Sequence, residues 1–159
     1  MDELLTLLKR NALETPENLA RMLNLSVEEV RARIAEYEHA GIIRGYQAVV
    51  NEDQLDLDRV TAVIEVKVTP EREGGFDYVA DRISKFPEVQ SLFLVSGAFD
   101  LLIFATGRDL KEVALFVSKK LSTIRGVVST STHFRLKTYK ASGVLMEAQE
   151  SSERLKISP

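Results

Sequence analysis

The apolar residues of this chain change their spacing once, and that change limits what the chain can fold into. Up to about residue 40 they recur every three or four residues, which is the period of helices that pack on one face. Within residues 59–140, stretches with the two-residue period of a half-buried strand are mixed with helical stretches. Residues 51–58 lie between these regions, follow neither period, and carry four acidic side chains and no basic one. The sequence therefore predicts a first domain over 1–50, an acidic linker over 51–58, a second domain over 59–140 and a tail over 141–159.

Three short helices are predicted in the first domain. The first has leucines on one side and ends near Asn11. Thr15 followed by Pro16 is typical of a helix start, because threonine caps the helix and proline tolerates its first position. A third helix is expected to begin at Ser26, close behind the second, and Glu29 completes the sequence pattern of a capping box.

Two helices joined by so short a turn form the helix-turn-helix arrangement, whose second helix can lie in the major groove of DNA. Gly41 is expected to stop the third helix. Residues 42–51 are β-branched and interrupted by Gly45, which predicts two short strands that form the wing of a winged helix-turn-helix. The side chains expected to meet DNA are Ser26, Arg31, Arg33 and Arg44. The alternative is that this domain is only a helical hairpin that docks the second domain.

The second domain is predicted to follow the order strand, helix, strand, strand, helix, strand, which is the ferredoxin-like unit. The strands are expected at 59–69, 89–96, 101–106 and 127–139, and the helices at 76–86 and 109–121. The buried side of the last helix is expected to comprise Leu110, Val113, Ala114, Val117 and Leu121. The predicted fold class is therefore α+β, with an N-terminal winged helix-turn-helix and a C-terminal ferredoxin-like βαββαβ domain. An open sheet with Val63, Leu102 or Phe104 outward would expose an apolar patch, so a second subunit is expected to cover it.

Charge gives a weaker constraint on partners. The net charge of −3 argues mildly against nucleic acid, and the first domain itself has six basic and eight acidic side chains. A dimer nevertheless needs only a few well-placed arginines, because phosphate contacts add up over both copies. The charge therefore predicts weak DNA binding by a single module and a dependence on oligomerisation.

Several function classes are excluded by the residues that the sequence lacks. With no cysteine, the chain holds no disulfide, thiolate zinc site or cysteine nucleophile. Its two histidines, His39 and His133, are far apart and outside any metal-ligand spacing, so we expect neither a metal nor a cofactor. There is no glycine-rich phosphate loop and no Ser/His/Asp order, so we do not expect an enzyme. The chain has no apolar run long enough to span a membrane and no basic segment typical of a secretion signal, so we expect a cytoplasmic protein.

Residues 26–46 carry the first motif of a known family. They read SVEEVRARIAEYEHAGIIRGY, a serine-led helix with an arginine seven residues on, an acidic run and a Gly-Ile-Ile-Arg-Gly-Tyr end. Residues 95–102, VSGAFDLL, match a Gly-x-x-Asp hairpin, and residues 113–126 and 130–139 match the helix and strand that follow it. In this order and spacing, the chain up to about residue 140 resembles the Lrp/AsnC family, the leucine-responsive and asparagine-responsive transcription regulators.

This resemblance implies a feast/famine regulator, in which a winged helix-turn-helix is joined to a ferredoxin-like domain that is often called RAM. It implies a homodimer, in many members assembled into octamers, that binds double-stranded DNA. Small molecules, usually amino acids, bind the RAM domain at contacts between dimers and change assembly or DNA affinity. By matching position, Arg33 is the recognition-helix arginine. The effector site implied in the same way consists of Gly97, Ala98, Phe99 and Asp100 in the hairpin, with Ser131 and Thr132 on the strand that flanks it.

Taken from the residues alone, several of these roles have alternatives. Gly97 is also what a plain turn requires, and Asp100 also suits local backbone bonds at the start of a strand. His133 is expected to point opposite to its neighbours in the strand, as a solvated or interface histidine. Two functions remain open: an amino-acid-responsive DNA-binding regulator, and a metabolite-sensing oligomer whose first domain has weak or lost DNA binding.

Overall fold

A computed structural model of the protein describes residues 2–55, 57–69 and 75–147. Asp56 of the predicted linker and residues 148–159 of the predicted tail lie outside the described residues. The chain divides into two compact units between Val50 and Asn51. Among the helices of the described ranges, none is both long and apolar enough to cross a membrane.

The first unit confirms the three predicted helices. They are α1 (Glu3–Arg10), α2 (Pro16–Leu23) and α3 (Val27–His39). Thr15 caps α2, because its hydroxyl oxygen accepts a hydrogen bond from the Asn18 backbone N–H at 3.2 Å. Asn24 has a left-handed φ of 53°, which ends α2 and turns the chain directly into α3. The helices share one core of buried residues, Leu4, Leu8, Leu19, Ala20 and Val30.

The chain after α3 does not form the predicted wing. Gly41 has a φ of 71° and ends the helical segment in the left-handed conformation, as expected. Residues 42–50, however, contain no strand. Gly45 does not adopt a positive φ, which a tight two-residue hairpin turn requires. The prediction of two strands over 42–51 is therefore wrong, and this segment is irregular.

The second unit is built on a four-stranded antiparallel sheet in the order β2-β3-β1-β4. Its elements are β1 (Val60–Val68), α4 (Asp77–Ser84), β2 (Val89–Leu94), β3 (Leu101–Gly107), α5 (Leu110–Phe116) and β4 (Val127–Phe134). This is the predicted ferredoxin-like order of strands and helices. Alternate residues of β1, such as Ile64 and Val66, are fully buried against side chains of α4 and α5. The two helices therefore cover one face of the sheet.

The last strand of this sheet ends earlier than predicted. Its final residue is Phe134, after which the Arg135 N–H still donates to the Thr61 carbonyl at 2.9 Å. Since β1 begins at Val60, the residues beyond Arg135 have no neighbouring strand with which to pair. The prediction of a strand to residue 139 is therefore wrong beyond Phe134. The chain forms instead a small hairpin of β5 (Lys140–Ala141) and β6 (Val144–Leu145).

The start of the second unit is tied to the segment that follows β4. Glu52–Gln54 forms a single 3-10 turn. The Glu52 carboxylate pairs with the guanidinium groups of Arg59 at 3.2 Å and Arg135 at 2.7 Å. The Asn51 side-chain amide donates to the Met146 carbonyl at 2.7 Å. Asn51 and Glu52 thus hold the start of the second unit against the segment that follows β4.

Candidate DNA-binding and effector sites

Two arginines lie on opposite flanks of α3. At about 3.6 residues per turn, Arg31 and Arg33 are separated by about 200° around the helix axis. The side of α3 opposite the buried Val30 carries the exposed residues Ala32 and Glu36. A short alanine side chain lets a partner approach the helix closely, and the two guanidinium groups can then reach that partner from both sides. This arrangement suits a helix that enters a groove between two charged rims.

The N-terminus of α3 is held by a complete capping box. The Ser26 hydroxyl oxygen accepts from the Glu29 backbone N–H at 3.2 Å, and the hydroxyl donates to the Glu29 carboxylate at 2.9 Å. The Ser26 backbone N–H donates to the same carboxylate at 2.8 Å. These two bonds to the carboxylate, the backbone bond first, hold the pKa of Glu29 below its ordinary value. Glu29 is therefore a fixed negative charge at this end of the helix, and the Ser26 hydroxyl is engaged in the cap.

The candidate DNA-contact arginines are all exposed but differ in their partners. The Arg31 guanidinium pairs with the Glu17 carboxylate of α2 at 3.1 Å. Arg33 makes no hydrogen bond or ion pair with any described residue. Arg44 lies in the irregular segment after α3 and is also exposed. Exposed ion pairs contribute at most about 1 kcal/mol, so the pair with Glu17 leaves Arg31 able to turn toward a phosphate.

The turn at residues 97–100 is organised by Asp100. Its carboxylate Oδ2 accepts from the Val68 backbone N–H at 2.8 Å, which fixes the turn against the end of β1. Lys67 Nζ donates to the Ala98 carbonyl at 3.2 Å from the same strand. The second oxygen, Oδ1, accepts no hydrogen bond from the described residues. Asp100 thus bonds to the backbone of a strand 32 residues away and not locally, as its position had suggested, and its Oδ1 has no hydrogen bond from the described residues.

Two other candidate effector residues, Gly97 and Phe99, lie in the same turn. Gly97 has a φ of 147°, and a Cβ built there would have no atom within 4 Å. Backbone conformation, and not crowding, therefore favours glycine at this position. Phe99 is half-buried, so only part of its ring is open to a ligand or a second subunit.

The two candidate residues of β4 do not share a surface. Ser131 and Thr132 are consecutive in the strand, so their side chains point to opposite faces of the sheet. Thr132 pairs with the buried Ile64 and faces the helices, whereas Ser131 pairs with Glu65 on the open face. A ligand that lies on one face of the sheet can therefore contact only one of these two side chains.

The face of the sheet away from the helices has an apolar and a polar part. Phe93 is 51% exposed and meets Phe104 edge to face, with ring centroids 6.2 Å apart. Toward the other edge, His133 Nε2 lies 3.6 Å from the Glu65 carboxylate and 3.3 Å from the Ser131 hydroxyl. His133 is on the open face, as the strand alternation predicted.

Comparison with known proteins decides the family. Residues 61–145 match the family described as the Lrp/AsnC ligand binding domain. The chain belongs to the Lrp/AsnC family. It is 43% identical over 158 residues to YugG, an uncharacterized HTH-type transcriptional regulator of Bacillus subtilis strain 168, with 99% of this chain and 95% of that protein covered.

Two further Lrp/AsnC comparisons agree with this assignment. A proline dehydrogenase transcriptional activator of Rhodobacter capsulatus is 33% identical over 115 residues, which is 72% of this chain and 74% of that protein. The crystal structure of a Neisseria meningitidis transcriptional regulator in complex with L-Met matches with a TM-score of 0.67 and 29% identity. That match covers 89% of this chain and 93% of the other. The predicted family, α+β fold class and role as a transcriptional regulator are confirmed.

Residue roles within this Lrp/AsnC chain stay predictions, and the structure adds contacts that sequence reasoning missed. The sequence does not indicate Val68, whose backbone N–H donates to the Asp100 carboxylate. Lys67 and Glu65 were also missed, although both lie beside candidate effector residues. The available signal was that these two charged residues alternate with buried apolar ones in β1, which places them on the open face.

Proposed function

We propose that this protein is a cytoplasmic, sequence-specific DNA-binding regulator, without enzymatic activity, that acts as a homodimer and responds to an amino acid. The observation that carries the DNA-binding part is α3, a capped helix with the short Ala32 on its outward side and an arginine on each flank. The related proline dehydrogenase transcriptional activator and the HTH-type regulator YugG support the same role. The L-Met complex of the similar Neisseria meningitidis regulator supports an amino acid as the effector.

In the proposed DNA complex, the outward side of α3 enters the major groove. Ala32 permits a close approach, Arg31 and Arg33 reach base edges or phosphates on either side, and Arg44 contacts the backbone. Ser26 acts by fixing the start of the helix. Glu28 and Glu29 at the same end oppose the phosphates, which makes binding by one copy weak and favours two copies on two half-sites.

Arg33→Ala tests this proposal. Loss of one arginine that reads a base should weaken binding to the specific site by about 10- to 100-fold and reduce the preference for that site over an unrelated duplex. Binding is measured with the purified protein, on a duplex from upstream of its own gene and on an unrelated duplex of equal length, across a salt series. Lys9→Ala is the matched control, since it removes one exposed charge at the end of α1. Light scattering should give the same particle mass for all three proteins.

Two results would contradict the proposal. Equal binding by the Arg33→Ala and Lys9→Ala variants would mean that Arg33 does not contact DNA. Failure of the wild-type protein to prefer its own upstream duplex, even at low salt and with amino acids present, would favour the alternative of a metabolite-sensing oligomer with weak or lost DNA binding. The acidic residues at the start of α3 are the observation that favours this second function.

The proposed dimer contact is the open face of the sheet. Phe93 and Phe104 form an apolar patch there that is costly to leave in water. A second copy presents the same patch, and a two-fold contact pairs like surfaces with each other. This supports a homodimer, and assembly of dimers into octamers would use other surfaces.

The proposed effector contact is the 97–100 turn, where the free oxygen of Asp100 would accept the α-ammonium group of an amino acid. Asp100→Asn should abolish the rise in melting temperature that the amino acid causes, because the amide still accepts the Val68 N–H bond but loses the charge. The measurement is thermal unfolding with and without each amino acid, L-methionine first. Asp81→Asn, which neutralises an exposed carboxylate in α4, is the control. A ligand-dependent shift that persists in Asp100→Asn would refute this assignment.

A further inference from the structure

The helix α5 continues into a π-helical turn, Val117–Leu121, and this turn has a clear cause in the sequence. Phe116 and Leu121, which are five residues apart, are both buried in the core. In a regular α-helix, residues with that spacing differ by about 140° in direction, so one of them would leave the core. The wider turn, closed by the Ser122 N–H bond to the Val117 carbonyl at 2.8 Å, lets both remain buried.

This turn places two lysines side by side on the protein surface. Lys119 and Lys120 lie between the buried Phe116 and Leu121 and are both exposed. The Thr123 hydroxyl lies within hydrogen-bond distance of both lysine carbonyls, at 3.1 and 2.9 Å, and so stabilises the end of the turn. Single π turns inside helices occur frequently at functional sites. The turn is therefore a reason to examine the surface that it forms.

A groove of about 380 Å³ lies between this turn and α4. Its charged lining residues are Arg82, Lys119, Lys120 and Arg125. Among the described residues that line it, no acidic side chain is present. The volume lies within the range of about 300–1,000 Å³ that is typical of small-ligand pockets. The groove therefore concentrates positive charge in a concave site of ligand size.

The existing contacts of Arg82 and Lys119 leave the charges of these two groups unneutralised by any described carboxylate. Lys120 pairs with Glu88, which stands outside the groove lining. Arg82 lies 5.9 Å from the centre of the Tyr78 ring and donates to the Tyr78 hydroxyl, contacts that keep its full charge. The Lys119 ammonium has no hydrogen-bond or ion-pair partner among the described residues. An anion bound in the groove could therefore accept hydrogen bonds from several cationic side chains at once.

We infer that this groove binds a small phosphate-bearing metabolite with two or more negative charges, such as one that contains a pyrophosphate group. Lysine and arginine donate strong charge-assisted hydrogen bonds to phosphate oxygens, and several such donors around one site favour a multiply charged ligand over a single carboxylate. A DNA backbone would need cations spread along a path, because its charges recur every few ångströms along each strand. In this groove the cationic side chains surround a single space instead. The ligand-binding domain would thus have a second ligand site, for an anion, apart from the proposed effector site at the 97–100 turn.

Calorimetric titration of the full-length protein with inorganic pyrophosphate tests this inference. The double substitution Arg82→Gln with Lys119→Gln should weaken pyrophosphate binding at least tenfold, since both charges face the groove. Lys111→Gln is the matched control, because it removes an exposed lysine of α5 that does not line the groove. Both substituted sites are exposed, and thermal unfolding will show that each variant is folded. Repeating the titration with Lys119→Glu alone should abolish binding.

Each other outcome overturns the inference. No pyrophosphate binding by the wild-type protein at millimolar concentration would do so, and so would binding that the groove substitutions leave unchanged. If these substitutions weaken binding only to an unrelated DNA duplex, the groove is a DNA-backbone surface and not a metabolite site. Arg33→Ala should retain pyrophosphate binding, so failure of the DNA-binding proposal and failure of this one are distinguishable.

Discussion

The two units hold their helices by different means, one mainly local and the other mainly long-range. In the first unit, α2 and α3 begin at side-chain caps whose partners lie three residues away, and the core has five buried residues. In the second unit α5 also begins at such a cap, on Asp109, but α4 and α5 both rest on a sheet of strands that are distant in sequence, and the core includes thirteen buried residues among those described. Single caps should therefore matter most in the first unit, and single buried side chains in the second.

The proposed DNA contact gives this difference a functional reason in α3. The helix spans thirteen residues, of which only Val30 is buried. A helix that must present most of its surface to DNA cannot gain much stability from burial. The cap of α3 and its short turn from α2 supply part of the stability that packing cannot. The sheet of the ligand-binding domain, in contrast, can be packed without limiting a DNA contact.

The largest effect that tests this contrast is expected at the centre of the sheet. Ile64→Ala should lower the free energy of unfolding by about 2–5 kcal/mol, because Ile64 is fully buried and its truncation leaves a cavity. Ile64→Val is the graded control and should cost about 0.5–1.5 kcal/mol. Urea denaturation gives the free energies, and hydrogen exchange should show the loss of protection in β1 and not in α3. A loss below 1 kcal/mol for Ile64→Ala would contradict the account of the core.

The same contrast explains which elements could be predicted from the sequence. The starts of α2 and α3 were predictable because Thr15 and Ser26 have their partners within three residues. The end of β4 was not, since it is set by where β1 begins, more than seventy residues earlier. The wing could not be predicted correctly, because Gly45 suggests a hairpin turn by its residue type while its backbone lacks the positive φ that such a turn needs.

The buried side of α5 shows a different limit. A period of about 3.6 residues predicted that Leu110 and Ala114 face the core, but Leu110 is 56% exposed and Phe116 is buried instead. The five-residue step from Phe116 to Leu121 is invisible to a search for one helical period, and the basic groove depends on it. The motif indicated Asp100 as a site residue, but its bond to Val68 follows from strand pairing that no local pattern reveals.

A smaller effect is expected at the cap of α3. Ser26→Ala removes a hydroxyl that accepts the Glu29 N–H, and loss of such a cap costs about 1 kcal/mol. Ser26→Thr, which can still cap, is the control. The change is measured by urea denaturation at pH 7, and hydrogen exchange should localise it to α3. If Ser26→Ala costs as much as Ile64→Ala, the proposed difference between the two units does not hold.

The pH dependence of this cap gives the smallest and most specific effect. Hydrogen bonds from the Ser26 backbone N–H and hydroxyl lower the pKa of Glu29 in the folded protein, so the ionised carboxylate is favoured by folding. The resulting stability is present above the unfolded-state pKa of Glu29 and is lost as the pH falls through its lower, folded-state pKa. Glu29→Gln keeps an acceptor at this position but cannot titrate. The stability advantage of the wild-type protein over Glu29→Gln should therefore shrink as the pH is lowered below the ordinary range of glutamate, and an advantage that grows on acidification would show that the charge of Glu29 opposes the fold.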